Sequence, residues 1–497
     1  MSVVTKFWII VLPLAVLVRL LTGYFAYGPQ AIDDYKHGII PATQYSQSSG
    51  SGTADLSRVE LPNYRSPFLT YYLAPWPKVA GALGWTRPVA QARAIEMGLG
   101  LISLLGFFGI FWIYQSRGPA DVGFYFLASL LYAFHPLLPF ASTRAFGESA
   151  CMPFVLLAFG AFSLALHEDR DESIKRSRRF YLLSVFFLLV AIFLRFQVGI
   201  FALPLGVFLL WRRDRTVLIL SAALAALAVL AQASLDLSFG RAALSSLREY
   251  LRENSGGAVK YGVSPWYNTW LTFLGFALVP FSLLVLIRKL SSWWKTELPL
   301  LFCICFFLTV HCFVPHKEER FLYPILPLAV VLVARAWAIN WGWSLERFCF
   351  RPLMAILCGF GAFIVAFSNP QSGIVTPLAE EGAREKPTMF LDLESNVGRS
   401  FIKEHFIQPP DEYKKFHEVQ DGDQSKDFRW VLLLPTGALV PSAVQDFLRL
   451  AKLSCGPQKV SQSWLDSWLV KLNPKWNERR RPTAYFVCDR DPAIKSQ

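Results

Sequence analysis

The sequence predicts an all-α polytopic membrane protein that ends in a small α/β soluble domain, and three observations carry that prediction. Of its 497 residues 54% are hydrophobic and 15% aromatic, with a mean hydropathy of +0.36. That is too apolar for a soluble enzyme of this size. Apolar runs close to the ~20 residues a helix needs to cross a bilayer recur along positions 1–369. Residues 370–497 then change character, with short apolar strands at 430–434 and 484–488 between polar segments and helical spacing at 446–452. A transmembrane domain over 1–369 and a C-terminal non-cytoplasmic domain over 370–497, joined by a polar linker near 370–388, follow from that shift.

Taken in order, the candidate spans are 7–27, 94–114, 121–140, 145–166, 180–196, 197–211, 216–235, 268–288, 298–315, 320–338 and 352–368, about 11 in all. The first follows Lys6 with no small-residue cleavage site behind it, so it reads as a retained span. Short length and proline mark 180–211 as a re-entrant or broken segment. Alternate loops carry Arg117, then Lys175, Arg176, Arg178 and Arg179, then Arg212, Arg213 and Arg215, then Arg288, Lys289 and Lys295, then Arg347 and Arg351. Positive charge of this kind belongs on the cytoplasmic side. The loops 28–93 and 236–267, the link 141–144, the charged run 316–320 and the tail therefore face the other way. A net charge of +13 lies in these short clusters between apolar runs, where it sets orientation and does not indicate nucleic acid.

The cysteines divide in the same way. Cys151, Cys303, Cys305, Cys312, Cys349 and Cys358 sit in or beside apolar runs and read as small hydrophobes. Cys455 and Cys488 lie in the tail and can pair if it faces an oxidising compartment. No Cys/His metal spacing occurs. No Asn-X-Ser/Thr sequon occurs either, which favours a bacterial inner membrane over the endoplasmic reticulum.

Five ionisable residues in a row, His316, Lys317, Glu318, Glu319 and Arg320, stand between the apolar runs 298–313 and 321–334. Each charge misplaced into hydrocarbon costs roughly 2.5–3.5 kcal/mol. One reading is a solvated loop. The other is a grip on a phosphate, with both signs present to balance the pocket's charge. Asp33 and Asp34, just past the first span, serve either as a helix N-cap pair or as a general base whose proton affinity is raised by a like charge. Arg65-Ser66-Pro67 forms a further cluster in the first outer loop, where the patch 46–52, rich in Ser and Gly, reads as flexible. Arg144 and Glu148 are four apart, the spacing of one helix face and of an ordinary intrahelical ion pair. Arg195, near Gln197, suits either snorkelling or ligand contact. The outer loop from Asp236 carries Tyr261-Gly262 and Pro265-Trp266, which fit an interfacial belt or a shelf for a sugar ring or prenyl chain.

The run His316-Lys317-Glu318-Glu319-Arg320-Phe321-Leu322, followed by Pro324 and Pro327, resembles the signature of the family 22 glycosyltransferases. These are the polyprenyl-phosphate-mannose-dependent α-mannosyltransferases of GPI-anchor and N-glycan precursor assembly. Asp33-Asp34, Arg65-Ser66, Thr143-Arg144…Glu148 and Tyr261-Gly262…Pro265-Trp266 resemble further segments of that family in the same order. Two departures stand out: Ala31-Ile32 replaces a common His-Pro, and Asp34 replaces the usual Glu. The resemblance implies a GT-C fold with its site at the outer membrane surface. It also implies a polyprenyl-phosphate-mannose donor, a lipid-linked or membrane-associated glycan acceptor, inversion to an α-mannoside, and no cofactor or metal. Asp33 or Asp34 is then the base. The donor- and substrate-binding set is His316, Lys317, Glu318, Glu319, Arg320, Arg65, Arg144, Tyr261 and Trp266. A lipid or solute transporter with a periplasmic tail is the competing reading, because transporters also hold charge near the membrane. Paired halves with matching broken helices would mark one, and none is visible.

Overall fold

The computed structural model describes residues 3–25, 34–48, 59, 61–118, 122–170, 173–255, 262–277, 297–339, 356, 359–361, 363, 388–392, 412–415, 429–435, 442–462, 464–473 and 483–490. Asp33 and Tyr261 lie outside the described residues, as does the side chain of Asp34.

Helix α1 (Val3–Phe25) is followed by a π-helical turn (Asp34–Ile39), α2 (Ile40–Ser48), α3 (Phe68–Leu73) and α4 (Pro75–Ala82). Next come α5 (Pro88–Ser103), α6 (Gly106–Gln115), α7 (Val122–Phe134), α8 (Leu138–Ala141), α9 (Gly147–Arg170) and α10 (Ile174–Leu194). A 3-10 turn (Phe196–Phe201) leads into α11 (Ala202–Arg212), α12 (Arg215–Ser238), α13 (Ser245–Ser255) and α14 (Asn268–Ala277). Helix α15 (Leu298–Cys312), a 3-10 turn (Glu319–Ile325) and α16 (Leu326–Ile339) follow.

Among the described residues, six helical stretches are long and apolar enough to span a membrane: Trp8–Phe25, Val89–Gln115, Gly147–Asp169, Ile174–Leu194, Arg215–Ser238 and Glu319–Ala338. Three shorter apolar helices, Val122–Phe134, Phe196–Arg212 and Leu298–Cys312, fall on other expected spans. The expected span 352–368 and the end of 268–288 lie largely outside the described residues. Helix α9 is the hub of the bundle, with Val155, Leu156, Ala158, Phe159 and Ala161 all buried. Helix α12 buries Val217, Gln232 and Asp236 and leaves Ile219, Leu227 and Leu230 exposed, the apolar outer face expected of a membrane-spanning helix.

One expected span is interrupted, and the break expected within 180–211 is present. The run 94–114 breaks between α5 and α6. There the Ser103 hydroxyl donates to the Gly100 carbonyl at 2.6 Å, and Tyr132 Oη donates to the Ser103 carbonyl at 2.6 Å. A carbonyl so occupied leaves the helical ladder and kinks the axis. Arg19 of α1 fills the same junction, donating to Ser103 Oγ and to the carbonyls of Tyr132 and Ala133, so it caps α7 from within the bundle. The segment 180–211 is indeed broken, at Arg195, whose backbone is extended (φ −152°, ψ 108°). Its two halves form separate helices.

The tail holds a mixed sheet. Strands β1 (Thr388–Asp392), β2 (Glu412–Lys415), β3 (Arg429–Pro435), β4 (Leu453–Cys455), β5 (Lys459–Ser461) and β6 (Thr483–Arg490) pair in the order β2-β1-β3-β6-β4, with β5 also on β6. Strands β1, β2 and β3 are parallel, whereas β6 runs antiparallel to β3. Trp430, Val431, Leu432 and Leu433 are all buried, as the continuous apolar run requires of a strand covered on both faces. Helices α17 (Ser442–Leu450) and α18 (Trp464–Leu472) belong to this region, and Val444 and Phe447 of α17 pack on Trp430 and Leu432. Cys455 and Cys488 face each other in register on β4 and β6 and form a disulfide.

Candidate functional site

Ion pairs and hydrogen bonds sort the bundle into two ends. At one end the bidentate Arg117–Glu297 pair (2.6 and 2.5 Å), Arg178–Asp214 (2.8 Å) and Arg212–Asp169 tie together the segments carrying the expected cytoplasmic arginines. Asp214 also caps α12 by accepting from the Thr216 and Val217 amides. The other end gathers the loops that carry the charged signature and the first-loop motifs.

There, Glu318 joins two members of the signature. One carboxylate oxygen accepts from His316 Nε2 at 2.7 Å, and the other is ion-paired with Arg320. Arg320 is buried, its guanidinium lying 4.8 Å from the Phe146 ring centroid and 5.5 Å from that of Phe321. Lys317 donates to the carbonyls of Ser264 (3.1 Å) and Val314 (2.7 Å), while the Ser264 amide donates to the Pro315 carbonyl at 3.0 Å. The second outer loop is thereby laced to the signature. An ammonium has three donors, and among the described residues two of those on Lys317 are taken. Desolvation holds its pKa below the ordinary lysine value, opposed by the nearby Cys312 thiol. Glu319 is exposed. A pocket opens beside these residues, lined by Asn268, Thr269, Thr272, His311, His316, Lys317, Glu318, Glu319, Phe321 and Leu322.

A second pocket, lined by His37, Arg65, Ser66, Leu69, Ala145, Phe146, Gly147, Glu148 and Leu194, lies next to the first. Arg320 stands between them, since Glu318 lines one and Phe146 the other. Two glycines make the close packing here possible. A Cβ at Gly38 would meet the Ala145 carbonyl oxygen at 2.1 Å, and one at Gly147 would meet the Leu194 carbonyl oxygen at 2.3 Å. The π-helical turn that begins at Asp34 is thus pressed against the 145–148 segment, and Glu148 reaches Arg195 at 2.9 Å. Within the turn, His37 Nδ1 accepts from Arg65 Nε and its Nε2 contacts Tyr64 Oη, both at 3.3 Å. Ser66 Oγ donates to Gln232 at 2.9 Å, and Arg241 donates to the carbonyls of Arg65 and Leu61. Asp236 accepts from the Ser246 amide and hydroxyl and so fixes the loop that supplies Arg241. Tyr250, stacked near Arg195 (5.7 Å), has its phenol pushed well above the usual range by burial, with Arg65 lowering it and Glu148 raising it.

The structure corrects one expectation and relocates others. Arg144 and Glu148 do not share a helix face: α9 begins at Gly147, and Arg144 lies in the preceding turn. Its fully buried guanidinium pairs with Glu96 of α5 at 3.2 Å, while Glu148 pairs with Arg195. Arg144 therefore lines neither pocket. An unpaired buried charge would be costly, so it holds the 141–146 turn from beneath. Arg195 does not snorkel, since it also donates to Gln197 at 3.2 Å, and Gln197 donates to the Phe321 carbonyl at 2.9 Å. Trp266 is exposed beside Tyr267, outside both pockets. The sequence reading missed Glu96, His37, Arg241 and His311. For Glu96 and His311 a signal existed, since a lone ionisable residue inside an apolar run is a functional flag.

A sequence profile of the Alg9-like mannosyltransferase family matches residues 64–381. No curated protein sequence matches the chain. Among solved structures, ArnT from Cupriavidus metallidurans bound to undecaprenyl phosphate is similar, with a TM-score of 0.59 at 12% identity over 97% of this chain and 98% of that one. The same protein in the apo state gives 0.57 at 14% identity over 98% of each. The Archaeoglobus fulgidus oligosaccharyltransferase in complex with Zn and sulfate gives 0.50 at 13% identity, over 82% of this chain and 62% of that one. At such identities the likeness shows the fold, which is GT-C.

Proposed function

The chain belongs to the Alg9-like mannosyltransferase family, and on that premise we propose that this membrane glycosyltransferase moves a mannosyl residue from a polyprenyl phosphate to a glycan acceptor. Acceptance of a lipid-linked sugar is supported by the fold shared with a protein solved with undecaprenyl phosphate. The observation that carries the reading is the cation set of the signature: Lys317 in the wall of one pocket, and Arg320 between the two, each held by fixed partners. Donors aimed in advance at the charge that develops on a leaving phosphate contribute most in the transition state.

In this mechanism Asp33 or Asp34 takes the proton of the acceptor hydroxyl. The oxygen attacks the anomeric carbon as the bond from that carbon to the phosphate oxygen breaks, and the prenyl phosphate leaves with the electron pair. A β-linked donor then gives an α-mannoside. Lys317 and Arg320 take up the phosphate charge, and Glu318 fixes His316 and Arg320 relative to each other. The site faces the periplasm or lumen, opposite the end that carries the basic loops. Family membership sets the transporter reading aside. The tail domain from 370 onwards stands on the same side.

Purified protein in detergent should move radiolabelled mannose from a prenyl phosphate to a glycolipid acceptor, and should do so in EDTA because side chains supply the cations. No label in the acceptor would overturn the reading; transfer abolished by EDTA and restored by a divalent cation would overturn the assignment of the phosphate's counter-charge to side chains alone. The lowered pKa of Lys317 gives a second test. Its charge is lost at a lower pH than that of an exposed lysine, so donor kcat/KM should fall early on the alkaline side. Lys317→Arg should move that limb to higher pH, because a guanidinium stays charged there. An unchanged limb would remove Lys317 from the phosphate.

A further inference from the structure

Three polar groups in the wall of the first pocket are left open in an otherwise well-partnered site. His311 is buried, and its Nδ1 lies 2.8 Å from the Phe307 carbonyl oxygen. A carbonyl only accepts, so Nδ1 carries the proton and Nε2 of the neutral ring is an acceptor. The ring is locked by stacking on Phe307 at 4.1 Å, and the His311 backbone carbonyl takes hydrogen bonds from Thr269 Oγ1 and the Val314 amide. Among the described residues, Nε2 of His311, the Asn268 carboxamide and the Thr272 hydroxyl have no partner, and all three residues line the pocket. One fixed acceptor, one amide and one hydroxyl suit a ligand that presents several hydroxyls. Phe321 and Leu322 supply an apolar wall for a ring face.

Resting on the function proposed above, we infer that this pocket is the subsite for the donor's hexosyl ring and that His311 Nε2 accepts a sugar hydroxyl, which makes His311 a specificity-determining residue. Lys317 lines the same pocket, and in a glycosyl phosphate the ring is bonded directly to the phosphate, so both fit within one ring's reach. The acceptor glycan is then left with the second pocket, on the side of the Asp34 turn.

The test compares binding of polyprenyl-phosphate-mannose with binding of bare polyprenyl phosphate to the full-length protein in detergent. Wild type should bind the mannosyl lipid more tightly. His311→Ala should cut that preference about three- to tenfold, the worth of one neutral hydrogen bond, with affinity for the bare phosphate unchanged. Thr272→Val removes one hydroxyl at nearly constant volume, should reduce the preference in the same sense, and stands in if His311→Ala does not fold. A wild type with no preference, or variants that keep it in full, overturns the subsite. Failure of the wild type to bind either lipid overturns the proposed function instead, and the subsite falls with it.

Discussion

Replacing Asp33 and Asp34 together with Asn should lower kcat by about 10²–10⁴-fold, the usual contribution of a positioned general base. Asparagine keeps the size and hydrogen-bonding capacity of the carboxylate but cannot take a proton. Donor affinity should therefore hold while turnover is lost, the pattern of an interaction made only in the transition state. The neighbourhood of this pair supports the assignment. Asp34 opens the π-helical turn whose fourth residue, His37, lines the second pocket. That turn is pressed against Ala145, one residue from the Phe146 ring under Arg320. Single substitutions would show which carboxylate acts. The double variant tests whether either does, and normal turnover from well-expressed protein would refute the assignment.

Arg320→Ala should lower kcat by about 10²–10³-fold, the range seen when one preorganised donor to a developing anion is removed. Two losses combine. The leaving phosphate loses a cation, and Glu318 loses the partner that balances it, so a carboxylate beside His316 is left facing the pocket. Arg320→Lys should recover only part of the rate, because an ammonium cannot reproduce the planar fork or the stacking on Phe146 and Phe321. Full recovery in the lysine variant would mean that charge alone matters there. Steady-state kinetics with a prenyl-phosphate-mannose donor, alongside affinity for the bare prenyl phosphate, separates the two outcomes.

What the sequence made legible is whatever lies close along the chain. The five-residue charged run is read directly, and its internal geometry is short-range: Glu318 reaches His316 and Arg320, two residues away on either side. Strands β3 and β6 and the tail helix at 442–450 follow from apolar patterning. Partners brought together by helix packing are another matter. Glu96 pairs with Arg144, Ser66 with Gln232, and Arg241 with the Arg65 carbonyl. No local spacing announces any of them, because they depend on which helix ends meet. The same limit explains the misassigned Arg144–Glu148 pair. Spacing by four predicts a shared face only inside a helix, and the helix starts three residues after Arg144. Once the turn is in place, Arg144 finds Glu96 on α5 and Glu148 finds Arg195 at the break after α10.

The most direct test of the central claim is an experimental structure of the protein with a bound polyprenyl phosphate. A phosphate within hydrogen-bonding distance of Lys317 and Arg320, with the Asp34 carboxylate across the pocket from it, is the result predicted here. A phosphate seated at the opposite end, near Arg117 and Arg212, or one held without either signature cation, would contradict it.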